Sequence, residues 1–125
     1  MGCGVACVAS VAGVTYEKAL KYFKKKSVLT RGCYCRDIVK ALDKFGIEYK
    51  YKKFARMNLP TPDGTIVFIS HSNKYPEGHY LVRIGKAWMN PWINYPHIVP
   101  IKAGFSKRLP GNPRWIIYPQ AKKRL

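Results

Sequence analysis

The first part of the chain spaces its apolar residues as helices do. Residues 4–12 are almost all small or apolar, which is typical of a buried helix, and Gly13 is placed to end it. Thr15 can cap a second helix. One face of that helix would carry Tyr16, Ala19, Leu20 and Phe23. The same spacing predicts a third helix over about residues 34–45.

The pattern then changes to strands. Ile47, Tyr49 and Tyr51 alternate with charged residues, which predicts a half-buried strand with these three side chains turned inward. The apolar run over residues 65–70 fits a central strand. Further strands are predicted at residues 79–84, 86–89 and 114–118. Helices followed by an antiparallel sheet indicate an α+β fold. No repeat or boundary interrupts it, so we expect a single domain over residues 1–125.

One predicted hairpin brings two polar side chains together. If Gly85-Lys86 forms a two-residue turn with glycine first, Ile84 pairs with Ala87. His79 and Asn90 then become diagonal neighbours on one face, because side chains alternate along a strand. The Asn90 amide oxygen can accept a hydrogen bond from the His79 ring and hold it in place. The aromatic residues nearby are Trp88, expected in the core on the opposite face, and Trp92, a candidate wall of the cleft.

A thiol stands at the front of the first helix. Cys3 lies at the positive end of the helix dipole, which we expect to lower its pKa and favour the nucleophilic thiolate. Gly4 leaves room for a substrate backbone. A thiol nucleophile needs a base, and His79 is the best placed of the three histidines. His71 competes with it because it also ends a strand, and His97 is the last choice.

Charge and cysteine usage widen the range of partners. The chain has 23 Lys and Arg against six Asp and Glu, a net charge of +17, which attracts nucleic acid, anionic membranes or acidic proteins; plain solubility is the alternative. No apolar run approaches the roughly 20 residues of a membrane span. Without a visible export signal we expect a cytoplasmic protein with reduced cysteines. Their spacing is unusual for zinc, and we expect no metal or organic cofactor.

The motifs around these residues resemble those of one peptidase family. Cys3-Gly4-Val5-Ala6-Cys7 is similar to the active-site motif of the C39-type, papain-like cysteine peptidases, the double-glycine peptidases that trim bacteriocin leaders. Gly78-His79-Tyr80 and Asn90-Pro91 are similar to the family's later motifs. The resemblance implies a papain-like fold, a buried Cys7, and hydrolysis of a peptide or amide bond. It also implies Cys3 as nucleophile, His79 as base and Asn90 as the orienting group.

The chain departs from this family pattern in two ways. Most C39 peptidases have Asp where this chain has Asn90. The family also places a Gln about six residues before the nucleophile for the oxyanion hole, whereas two residues precede Cys3 and the only Gln is Gln120. Losing one such donor typically costs about 10²–10³ in rate. The chain could be a truncated copy, another residue could replace the Gln, or activity could be weak. The rival functions are a non-catalytic basic nucleic-acid-binding module on the same scaffold, and a nuclease that uses the same histidine.

Overall fold

The computed structural model describes residues 3–23, 35–54, 62–70, 75, 78–91 and 103–120. Within these ranges the helices are α1 (Cys3–Ala12), α2 (Tyr16–Leu20) and α3 (Cys35–Lys44). The strands are β1 (Tyr49–Lys53), β2 (Ile66–Ile69), β3 (His79–Ile84), β4 (Ala87–Asn90), β5 (Gly104–Ser106) and β6 (Pro113–Pro119).

Local signals in the sequence set the helix ends. Gly13 follows α1 with a φ of +69°, and the Val14 N–H returns to the Ala9 carbonyl oxygen at 3.0 Å, which closes the last turn. The Thr15 hydroxyl accepts a hydrogen bond from the Lys18 N–H at 3.2 Å and caps α2. The C-terminal end of α1 and the N-terminal cap of α2 were therefore correctly predicted. The second helix is short, however, and its predicted inward residue Tyr16 is 39% exposed.

The strands form a six-stranded antiparallel sheet in the order β1-β6-β2-β3-β4-β5. The continuous apolar run became the interior strand β2, which lies between β6 and β3. The last strand along the chain, β6, is inserted between β1 and β2. The α+β prediction is confirmed. The short strand β5 was not predicted, because three residues are too few to establish an alternating pattern.

The sheet separates two apolar clusters. The larger one joins the helices to one face of the sheet, where Tyr80 and Val82 meet α1 and α3. The smaller one lies on the other face and contains Val67, Ile69, Tyr75, Leu81 and Trp88. The alternation along β3 explains this division, since His79 and Leu81 point away from the helices while Tyr80 and Val82 point toward them.

Two further sequence predictions about aromatic side chains were wrong. Trp88 is 4% exposed, as expected of a core residue, but it packs beside Leu81 on the face that Asn90 shares. Residues two apart in a strand point the same way, so the period itself requires this. Tyr51 is 43% exposed instead of turned into the core. Its strand is at the sheet edge, where Tyr49 is the only buried residue of β1.

Candidate active site

The hairpin of β3 and β4 has the predicted register. Ile84 pairs with Ala87, and Gly85 between the strands has a φ of +61°, which a primed turn requires. The register brings His79 and Asn90 together as diagonal neighbours. His79 Nε2 lies 2.6 Å from Asn90 Oδ1, and each residue is only 2% exposed. Since an amide oxygen only accepts, the ring nitrogen Nε2 is the donor and carries the proton.

Gly78 fixes the point where His79 enters the sheet. Its φ of +83° is favourable only for glycine. A Cβ atom added there would overlap the ring of Phe68 and lie 2.9 Å from the Ile69 carbonyl oxygen. The glycine before the histidine is therefore needed for two reasons, backbone conformation and space. That gives a physical basis for the Gly78-His79-Tyr80 motif.

Tyr75 is a site residue that sequence reasoning missed. Its ring stacks on His79 with centroids 4.0 Å apart and planes 2° from parallel. Its hydroxyl oxygen accepts a hydrogen bond from Asn90 Nδ2 at 2.8 Å. The Gly78 N–H donates to the Tyr75 carbonyl oxygen at 3.0 Å, which holds the Tyr75 backbone close to the start of β3. The sequence offered one signal, since Tyr75 is followed by proline and then by Gly78, a common turn pattern.

Cys3 reaches the same end of β3 from the helix side. It is the first residue of α1, and it packs against the larger cluster. The Tyr80 N–H bonds to its sulfur. His79 and Asn90 lie on the other face of the sheet, and the Cys3 sulfur meets the backbone of β3 at Tyr80, one residue after His79.

The predicted direction of the Cys3 pKa was wrong. Although the residue as a whole is partly exposed, its sulfur is removed from solvent, and this burial raises the pKa of the Cys3 thiol. Hydrogen bonds from the backbone N–H groups of Tyr80, Gly4 and Cys3 itself lower that pKa but do not outweigh burial. The thiol is therefore the resting form at neutral pH, because desolvation penalises the charged thiolate.

Of the other thiols and histidines, two cysteines lie in the core and the rest lie outside the described residues. Cys7 is fully buried in α1, as expected, and Cys35 is buried with its sulfur 3.9 Å from the Tyr80 hydroxyl. Burial also raises the pKa of the Cys35 thiol. Within the described ranges no three His, Cys, Asp or Glu side chains are grouped to hold a metal ion. Four sequence candidates lie outside those ranges: Cys33, His71, Trp92 and His97.

The sequence model of the Peptidase C39 family matches residues 1–107, most of the chain. The chain belongs to this family. The match to the C39 family agrees with helices packed on an antiparallel sheet in a papain-like, α+β arrangement. Membership implies a cysteine peptidase in general terms.

Comparisons of this C39 domain with curated proteins and with solved structures found no match. Across the ranges that the structure describes, none of its helices combines the length and apolar character that crossing a bilayer requires. The C39 match extends over Cys3, His79 and Asn90 and stops after β5, so β6 lies beyond it.

Proposed function

We propose that this C39 domain hydrolyses a peptide or amide bond with Cys3 as nucleophile, His79 as general base and acid, and Asn90 as the group that orients His79. The observation that carries the proposal is the buried 2.6 Å hydrogen bond between His79 Nε2 and Asn90 Oδ1. Because that bond engages Nε2, the proton of the thiol would pass to Nδ1. The Tyr80 N–H at the Cys3 sulfur supports the same pairing, since Tyr80 directly follows His79.

The reaction would proceed through a thioester. His79 takes the proton from Cys3 as the sulfur attacks the carbonyl carbon, and the resulting imidazolium then protonates the leaving amine. Water attacks the thioester carbon while His79 removes its proton, which releases the acid and restores the thiol. The N–H of Cys3, at the start of α1, supplies one donor for the negative oxygen of the tetrahedral intermediate.

The raised pKa of Cys3 decides how the nucleophile is activated. A thiol held protonated by burial is a poor nucleophile by itself. In this proposal, proton transfer to His79 accompanies attack and does not precede it as a stable ion pair. An uncharged Asn90 fits this requirement, because a carboxylate beside the ring would favour a resting imidazolium.

Alkylation of Cys3 tests the proposal without a known substrate. Wild-type protein, His79→Ala and Asn90→Ala would be treated with limiting iodoacetamide at pH 7, and the adducts mapped by mass spectrometry. In the wild type we expect Cys3 to react fastest of the four thiols. In His79→Ala, which lacks the base, we expect the Cys3 alkylation rate to fall about ten-fold or more. Cys35→Ser serves as a control with unchanged Cys3 labelling. Faster labelling of Cys33 or Cys35, or an unchanged Cys3 rate in His79→Ala, would refute the pairing.

Turnover is tested in parallel with fluorogenic peptides that end in Gly-Gly, the sequence that the family resemblance suggests. Cys3→Ala should abolish release of the fluorophore, while Cys35→Ser should retain it. Release that persists in Cys3→Ala would assign the activity elsewhere.

A second candidate function, binding of single-stranded nucleic acid, is favoured by one edge of the sheet, where basic residues and rings lie on both faces. The strands β1 and β6 contain no acidic residue and form a basic edge strip, defined as Lys50, Tyr51, Lys52, Lys53, Arg114, Trp115 and Tyr118. The Lys52 ammonium lies 5.2 Å from the Tyr118 ring centroid, and the Lys53 ammonium 5.8 Å from that of Trp115. Both rings are half-buried, and cations beside accessible ring surface are the combination on which phosphates bind and bases stack.

Matched charge removal tests this second function. Lys50→Gln, Lys52→Gln and Lys53→Gln together remove three charges from the basic edge strip; the control triple variant removes three near the opposite edge of the sheet at Lys86, Lys107 and Arg108. Fluorescence anisotropy with an oligothymidine of about 20 nucleotides would be measured against salt. We expect the strip variant to lose about two units of log–log salt slope, near 0.7 for each lost phosphate contact. Equal losses in both variants would reduce the binding to nonspecific attraction by net charge.

A further inference from the structure

We propose that Tyr75 is a positioning residue for the Cys3-His79-Asn90 triad, holding the Asn90 amide through its hydroxyl and the His79 imidazole through its ring. This inference rests on the proposed catalytic roles of those three residues. Tyr75 is 2% exposed and lies four residues before His79. It touches the base and the orienting group at once, at 4.0 Å between ring centroids and at 2.8 Å from the amide nitrogen.

The hydroxyl acts on the orientation of the Asn90 amide. When His79 carries the proton taken from the thiol, both ring nitrogens are donors, so Asn90 must present Oδ1 to Nε2. That orientation turns an amide N–H toward the protein interior, where the Tyr75 hydroxyl oxygen accepts it. Removing the hydroxyl takes away that acceptor in a buried site, where hydrogen bonds to amides matter most. The protonated state of His79 is then less well supported than the neutral state.

The ring acts on the imidazole itself. A parallel stack at 4.0 Å covers one face of His79 and opposes rotation of the ring out of its plane. The two ring nitrogens consequently stay aligned, Nε2 toward Asn90 and Nδ1 toward the position proposed for the thiol proton. Tyr75 also belongs to the smaller apolar cluster with Leu81 and Trp88, so the stack is anchored in the core and not in a free loop.

The backbone places the ring before any side chain is considered. The Gly78 N–H bonds to the Tyr75 carbonyl oxygen at 3.0 Å, which ties the Tyr75 backbone to the residue just before β3. Burial raises the pKa of the Tyr75 hydroxyl, while the bond from Asn90 lowers it and a charge on Cys3 raises it further. The hydroxyl therefore stays protonated where the thiol reacts and does not compete with His79 as a base.

Two substitutions separate the parts of this role. Tyr75→Phe retains the stacked ring and removes the hydroxyl, whereas Tyr75→Leu removes both. Tyr49→Phe is the matched control, because Tyr49 is another buried tyrosine whose hydroxyl donates to a carbonyl oxygen, that of Gly64, at 2.8 Å. The rate of Cys3 alkylation by iodoacetamide would be measured from pH 6 to pH 9, together with the ¹⁵N chemical shifts of the His79 ring, which report its tautomer.

We expect Tyr75→Phe to slow Cys3 alkylation at pH 7 about five-fold and to change the His79 ¹⁵N pattern, while Tyr49→Phe changes neither. Tyr75→Leu should slow alkylation further, to about 50-fold. If Tyr75→Leu fails to fold, the rate and spectrum of Tyr75→Phe decide the question. Wild-type rates and shifts in Tyr75→Phe, with slow alkylation in His79→Ala, would overturn the role of Tyr75 alone. An unchanged rate in His79→Ala would overturn the triad and the role of Tyr75 with it.

Discussion

The glycine before the proposed base should be the least replaceable residue of the hairpin. Gly78→Ala imposes two costs that the structure separates. A side chain at a φ of +83° is strained by about 1–2 kcal/mol. The added methyl group also meets Phe68 and the Ile69 carbonyl oxygen, 2.9 Å away, and such overpacking typically costs about 1–3 kcal/mol. The sum, about 2–5 kcal/mol, is a large share of the roughly 5–15 kcal/mol that stabilises a domain.

Gly46→Ala isolates the steric part of this cost. Gly46 has a similar φ of +77°, but a Cβ atom there would find no atom within 4 Å. Both substitutions restrict the unfolded chain equally, so that contribution cancels in the comparison. Gly78→Ala should therefore cost about 1–3 kcal/mol more than Gly46→Ala.

Urea unfolding followed by tryptophan fluorescence measures the difference. With a slope of about 1–3 kcal/mol per molar urea, the midpoint of Gly78→Ala should lie about 1 M below that of Gly46→Ala, at unchanged slope. Cys3 alkylation of the folded Gly78→Ala protein should also slow, because the methyl group pushes β3 and His79 away from the thiol. Equal midpoints for the two variants would show that close packing is not what requires glycine at residue 78.

Three further predictions concern ionisation and the orienting group. Because burial raises the pKa of the Cys3 thiol, alkylation of Cys3 in His79→Ala should stay slow at neutral pH and accelerate only at a pH above that at which thiols ordinarily ionise. Fast alkylation of Cys3 in this variant at neutral pH would contradict the prediction. Burial and Asp63 raise the pKa of Tyr49 to about 12. The protonated Tyr49 hydroxyl therefore contributes its full stabilisation below pH 10, and this contribution should be lost as pH rises toward 12. The free energy of unfolding of Tyr49→Phe, measured over the same pH range, should not show that loss. Asn90→Asp should keep Cys3 alkylation within about ten-fold of wild type, because a carboxylate accepts from both His79 and the Tyr75 hydroxyl; a loss as large as that of Asn90→Ala would mean that the amide itself is required.

The local parts of the fold and site could be predicted from the sequence. Gly13 ends α1 because its conformation is encoded at a single residue, and Thr15 caps α2 for the same reason. The pairing of His79 with Asn90 followed from a two-residue turn and the period of a strand. Each of these depends on a few neighbouring residues.

The parts that were missed depend on distant residues. Tyr51 is exposed because β6, more than 60 residues later in the chain, is inserted between β1 and β2 and leaves β1 at the edge of the sheet. The pKa of Cys3 is raised by burial of its sulfur, which lies against the backbone of Tyr80, far along the chain. The stack of Tyr75 on His79 depends on both the hydrogen bond from Gly78 to Tyr75 and the apolar cluster that contains Tyr75. The wrong prediction for Trp88 has no such distant cause. Alternation along the strand from Asn90 would have been sufficient to place Trp88 on the same face.

The insertion of β6 between β1 and β2 has a consequence for synthesis of the protein. Of the described strands β6 is translated last, so β1 and β2 leave the ribosome with no strand between them. Until β6 has been synthesised, β2, with the sequence Ile-Val-Phe-Ile, has an unpaired edge of the kind that recruits other nascent chains. The lysines of β1 would repel such contacts during this interval. A chain interrupted before residue 113 should therefore aggregate rather than accumulate as a soluble half-sheet.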